Sequence, residues 1–364
     1  MSTENCGLKN IVACTSSIST IHDDTLIYRG YSIEDLAEHC SYEEVVYLLL
    51  HGELPTREAL DSLKEELSQN ISLPQRFLDI LKHMDQGHPM AKLRTAVSLF
   101  GTFDKDPDDL STLRQKAVRM TAAMGPIVTA ISRSEQRKEP MEAVPGRTLA
   151  WNFLNMIRDK EPSKEEERLF DTALVLHADH ELNASTFTAR TVASTNSDFY
   201  SSITAAISSL KGPLHGGANE AVMLMLEEIG SIDDVGPYID DALKNKKKIM
   251  GIGHRVYEQG DPRAKVLKGL LAQTRPKQEF RILQRIEKQM LAKKGLLPNV
   301  DFYSGLIYKA LGLRQRDFTP IFAVSRIAGW SAQLMEQYSK NRLYRPRAKY
   351  IGKTGRKVLP LSER

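Results

Sequence analysis

From Ser41 onward, apolar residues recur at helical spacing with few interruptions, and this periodicity restricts the fold more than any other feature of the chain. Ser41 and Glu44 have capping-box spacing, Val45, Val46, Leu48 and Leu49 form an apolar face, and Gly52 with Pro55 closes the segment. Similar signals predict helices over 57–69, 74–83, 89–101, 110–132, 147–158, 163–180, 237–247, 262–273, 277–294, 299–311 and 319–340. Residues 11–31 differ. β-Branched clusters, a turn signal at Asp23-Asp24 and the alternating Thr25-Leu26-Ile27-Tyr28 predict a short hairpin there. The expected fold class is all-α with one short N-terminal β-hairpin.

A chain of 364 residues exceeds the size at which single cores stop growing, roughly 250–300 residues, so two domains are expected. No break in composition marks their boundary. The 50 basic and 46 acidic residues leave a formal charge of +4 without an arginine-rich tail, which argues against a dedicated nucleic-acid binder and suits anionic small molecules. Cys6, Cys14 and Cys40 have no CxxC spacing and no secretory signal precedes them, so reduced thiols in a cytoplasm are expected. No apolar run approaches the ~18 residues of a membrane span.

The most informative interruption is Gly212 to Glu220, GPLHGGANE. Before it, Ser197 is a candidate N-cap, and Phe199, Ile203, Ala206, Ile207 and Leu210 share a helical face. Gly212-Pro213 ends that helix, and Ala218, Val222, Met225 and Ile229 restart the period. His215 thus lies in a glycine-rich bend entering a helix, where the positive end of the helix dipole favours neutral imidazole. A neutral histidine can donate to a carbonyl oxygen; a capping or core histidine is the alternative.

Four further stretches carry polar groups at helix boundaries. In HADHELNAST, His177 and His180 are three apart and so expected on one helical face, a spacing too thin for a zinc pattern and better matched to a hydrogen-bonded core histidine. In KNKKKIMGIGHRVYEQGDPRAK, Gly251 and Gly253 before His254 permit close backbone approach to a ligand and point N–H groups at it, although a lone GxG is not a dinucleotide fingerprint. Lys244, Lys246, Lys247 and Lys248 fit a solvated helix end or a phosphate site, and Asp261-Pro262-Arg263 opens a helix beside that loop. In LPNVDFYSG, Asn299 is a candidate cap and Asp301 a first-turn aspartate, stabilising or a general base. In FAVSRIAGW, Arg326 shares a face with Phe322 and Gln333 and needs an anionic partner. Arg342, Arg345 and Arg347 follow.

Together these stretches resemble the citrate synthase family, as do YRGYSIEDLAE at 28–38, EEVVYLLLHGELP at 43–55 and HPMAKLRTAVS at 88–98. The resemblance covers nearly the whole chain. It implies a large helical domain, 1–216 with 316–364, a smaller mobile domain, 217–315, and a homodimer whose sites use both subunits. It implies an acyltransferase of the tricarboxylic acid cycle that joins acetyl-CoA to oxaloacetate and releases citrate and CoA, with no cofactor, no metal, no nucleic acid and no membrane partner. By the same resemblance His215, His254 and Asp301 are catalytic. His180, Arg263 and Arg326 bind the oxaloacetate carboxylates with Arg345 from the other subunit, and Ile249, Met250, Gly251, Ile252 and Gly253 hold CoA. Lys293 and Lys294 compete with the 244–248 run for the CoA phosphates. The chain looks like the short type without an NADH site, and closure of the small domain over oxaloacetate is expected to exclude water. The close alternative is a 2-methylcitrate synthase using propionyl-CoA, against which Leu214, Val300 and Tyr303 look more like the citrate enzymes. A non-catalytic sensor of CoA or an organic acid gives Asp301 no role.

Overall fold

The structure, a computed structural model, describes residues 11–84, 86–254, 256–273 and 278–364. Cys6 and the predicted first helical residue Lys277 lie outside the described residues. Strands β1 (Ser19–His22) and β2 (Thr25–Tyr28) pair antiparallel, with Ser19 opposite Tyr28 and His22 opposite Thr25. Asp23 and Asp24 form the turn with φ of 48° and 57°, the left-handed pair that matches strand twist in a two-residue hairpin. A third strand, β3 (Tyr31–Ser32), extends the predicted hairpin to a three-stranded sheet.

The rest is helical. Helices α1 (Ile33–His39), α2 (Tyr42–His51), α3 (Arg57–Asn70), α4 (Gln75–Lys82) and α5 (Pro89–Gly101) are followed by α6 (Leu113–Glu135), α7 (Leu149–Arg158) and α8 (Lys164–His177). After α9 (Ala184–Ala193) and α10 (Phe199–Leu210) come α11 (Ala218–Ile229), α12 (Val235–Lys244), α13 (Pro262–Gln273), α14 (Gln278–Lys294), α15 (Val300–Ala310) and α16 (Phe318–Ser339). The Ser41–Glu44 capping box forms as its spacing requires. The cap of α10 is Asp198 rather than Ser197.

Two helices escape the periodicity. Helix α1 has only seven residues, too few to display a period. Helix α9, ASTFTARTVA, is rich in hydroxyl and β-branched residues of low propensity; Asn183 caps it and packing on α10 and α16 overrides the propensity. Helix α8 stops at His177, three residues early, so His177 and His180 do not share a helical face.

Helix α16 is the axis of the core, buried over most of its length and packed against α6, α9, α10, α2 and α8. It also supplies donors to the end of α8, where the last carbonyls lack intrahelical partners. Ser325 Oγ donates to Leu174 O, Arg326 Nε to His177 O at 2.7 Å, and Gly329 N–H to Ala178 O at 3.1 Å. Gly329 permits that approach, since a Cβ there would lie 2.2 Å from Ala178 O. Farther along the chain, α11 packs on α15, α13 on α15 and α12 on α14. Beyond α16 residues 345–364 are exposed, Arg345 among them.

Candidate active site

The α10–α11 bend, the loop after α8, the 249–261 segment, the start of α15 and the middle of α16 supply the candidate residues. His215 is held from outside its own bend. Its Nε2 accepts the Ser185 N–H at 3.3 Å and lies 2.8 Å from Ser185 Oγ, itself hydrogen-bonded by Trp330 Nε1 at 3.1 Å. With Nε2 accepting, the proton of neutral imidazole sits on Nδ1. Burial, then the Arg326 charge, depresses the His215 pKa to about 4. The first turn of α9 therefore adds a second helix N-terminus facing this ring, a contact that sequence reasoning missed. The N-A-S-T run at 183–186 carried the signal as a capping sequence.

His254 receives the opposite tautomer. Val256 N–H and Tyr257 N–H donate to its Nδ1 at 3.1 and 3.4 Å, leaving the proton on Nε2. Burial and the nearby Arg263 lower its pKa to about 4. The His254 ring stands 5.3 Å from that of His180, and His180 Nε2 meets Tyr257 Oη at 2.9 Å. Tyr257 is a second residue missed from sequence.

The glycine loop has a structural task. Gly251 and Gly253 adopt φ of 73° and 87°, and a Cβ on Gly251 would lie 2.9 Å from Phe302 Cα. Gly253 N–H donates to Leu297 O at 2.8 Å, so this N–H is satisfied internally and is not presented to a ligand, contrary to the sequence reading. Asn299 N–H reaches Gly251 O at 2.9 Å, Asn299 Nδ2 reaches Gly253 O at 3.0 Å, and Asn299 Oδ1 caps Asp301 N–H at 3.0 Å. One asparagine thus ties the His254 loop to the Asp301 turn. Lys244 to Lys248 are exposed; Lys247 lies 3.9 Å from Asp241, and Lys293 is paired with Asp240.

Asp301 Oδ1 is buried without a hydrogen-bond partner among the described residues, and desolvation, only partly offset by Arg263 and Arg326, pushes its pKa up to about 7. Such a carboxyl is a competent base near neutrality. Arg263 is already engaged by Asp261, with Nε at 2.9 Å and Nη2 at 2.8 Å. Arg326, 1% exposed, differs: it stacks on Phe322 at 4.6 Å, and among the described residues no carboxylate lies within 4.0 Å. Burial lowers its pKa to about 10 while the more distant Asp179 raises it. A buried guanidinium in this state fits an incoming carboxylate. Of the sequence-derived residues, His180 lies within reach of the charges of Arg263, His254, Arg326 and His215, and Asp301 within reach of Arg263 and Arg326, whereas Arg345 is exposed.

Comparison with known proteins identifies the family. A family model described as citrate synthase, C-terminal domain, matches residues 7–347. Citrate synthase 2 of Bacillus subtilis is 49% identical, covering 98% of each chain. The structure of the ternary complex of carboxymethyl coenzyme A and oxaloacetate with the Thermoplasma acidophilum citrate synthase superposes with a TM-score of 0.93 at 35% identity, covering 99% of each chain. A 2-methylcitrate synthase 1 from Corynebacterium glutamicum is 39% identical, covering 98% of each chain. The chain belongs to the citrate synthase family, enzymes of the acyltransferase class.

Proposed function

We propose that this protein condenses acetyl-CoA with oxaloacetate and hydrolyses the resulting thioester to citrate and CoA. Asp301 takes a methyl proton from acetyl-CoA while His215 Nδ1–H hydrogen-bonds the thioester oxygen of the developing enol. The enol carbon then attacks the oxaloacetate ketone, whose oxygen receives the His254 Nε2 proton. Water cleaves the C–S bond, giving carboxylate and thiol. The observation that carries this reading is Arg326, a buried arginine with no carboxylate within 4.0 Å among the described residues, within reach of His180, His215 and the elevated Asp301. Arg263 and His180 complete the oxaloacetate pocket, and Arg345 reaches it from the second subunit of a homodimer. Residues 217–315 move as the small domain against 1–216 and 316–364, and Ile249 to Gly253 receive CoA.

The choice of acyl group turns on fewer residues than the sequence offered. Tyr303 donates to Glu287 at 2.5 Å and Val300 is buried, so both serve the interior, while Leu214 beside His215 is 92% exposed and available to a substrate. Thiol release measured with oxaloacetate and each acyl-CoA tests the assignment. Acetyl-CoA is expected to give the higher kcat/KM, and a preference for propionyl-CoA would overturn it.

A further inference from the structure

The N-terminal hairpin meets the His254 loop through one carboxylate. Asp24 Oδ1 accepts Glu258 N–H at 2.8 Å and Oδ2 accepts Gln259 N–H at 2.9 Å. Two successive amides on one anion form a charge-assisted pair, stronger than neutral hydrogen bonds. The amides follow directly on Tyr257, whose hydroxyl meets His180, and precede Asp261, which holds Arg263. The same hairpin grips the loop after α8: Ser19 Oγ donates to Asp179 Oδ2 at 2.5 Å and accepts Glu181 N–H at 2.9 Å, and Tyr28 Oη donates to Asp179 O at 2.7 Å. The hairpin therefore contacts the backbone segments that carry His180 and follow His254.

We propose that Asp24 is a positioning residue for the condensation: its carboxylate clasps the 258–259 turn and holds His254 and Tyr257 over the oxaloacetate pocket. The proposal rests on the catalytic reading of His254 and on 217–315 being the mobile unit. On that division Asp24 belongs to the large domain and the turn to the small one, so the clasp spans the two and engages as the cleft closes. Asp24 touches no reacting atom.

Asp24→Asn is the incisive variant. Asparagine tolerates the left-handed backbone of the turn, while the charge is lost and one oxygen becomes an amide donor facing an N–H. The KM for oxaloacetate is expected to rise and kcat/KM to fall roughly tenfold or more, with an unfolding temperature close to wild type. Asp24→Glu, which keeps the charge, is expected to recover part of the loss. Asp23→Asn is the control, because the Asp23 carboxylate meets only the His22 ring, at 3.2 Å, among the described residues. Amide hydrogen exchange of the wild-type enzyme gives a second reading: Glu258 and Gln259 are expected to gain protection on adding oxaloacetate. Wild-type kinetics in Asp24→Asn, an equal loss in Asp23→Asn, or exchange unaltered by oxaloacetate each overturn the clasp while leaving the condensation reading intact. Absence of thiol release by the wild-type enzyme overturns both.

Discussion

If Asp301 is the base, as proposed, the conflict between burial and charge there sets the working pH. A base must be ionised, so with its pKa near 7 the rate of enol formation is expected to fall about tenfold per pH unit below that point. His215 and His254, depressed to about 4, stay neutral throughout that window and contribute nothing to the acid limb. Asp301→Asn is expected to lower kcat roughly 100- to 10,000-fold, with oxaloacetate binding, followed by calorimetry, retained. Steady-state rates from pH 5.5 to 8.5 check the first expectation; a rate that stays flat across that window would reassign the base. The polar residues of the candidate site and the helix boundaries near which they lie were readable from sequence. The tautomers were not, because Ser185 and the 256–257 amides that fix them are contacts across loops and carry no periodic signal.

Among the elements, the polar joints between helices are where stability should prove most sensitive. A Cβ on Gly329 would overlap Ala178 O and the Asp179 side chain, so Gly329→Ala is expected to cost about 1–3 kcal/mol, read as a lower unfolding temperature. A second joint is acidic: Asp171 Oδ1 accepts Tyr42 N–H at 3.0 Å at the start of α2, close to buried Glu43. Burial raises both carboxyls, Asp171 to about 8. The folded state then holds protons that the unfolded chain releases above about pH 4, so this joint loses stability as pH rises to 8. Depressed histidines oppose that slope only below their unfolded pKa of about 6.5. Thermal unfolding is therefore expected to shift downward between pH 6.5 and 8, and Asp171→Asn, which keeps the acceptor, is expected to flatten the change. Element type was legible wherever the apolar period was long, as in α6, α14 and α16. It failed at α1 and α9, where length and composition hide the period and neighbouring helices decide the outcome.

For the whole molecule, the sharpest expectation concerns Arg345, which is exposed. If each site draws that arginine from its partner, Arg345→Ala and Asp301→Asn enzymes are inactive separately, but co-refolding them restores one complete site in half of the dimers. Activity near a quarter of wild type is then expected. A mixture no more active than its components would place the arginine outside the partner's site. Sequence pattern could not have located it, since residues beyond α16 carry neither a period nor a cap.

The contact between α16 and the end of α8 has a further consequence, for how such an enzyme can change over evolutionary time. On the proposed reading Arg326 receives the substrate carboxylate while it donates to His177 O, so that one side chain would serve recognition and helix termination together. Replacing it alters folding and binding in a single step, and selection cannot tune one without the other. Innovation in substrate choice should therefore accumulate at positions free of that double duty, such as exposed Leu214.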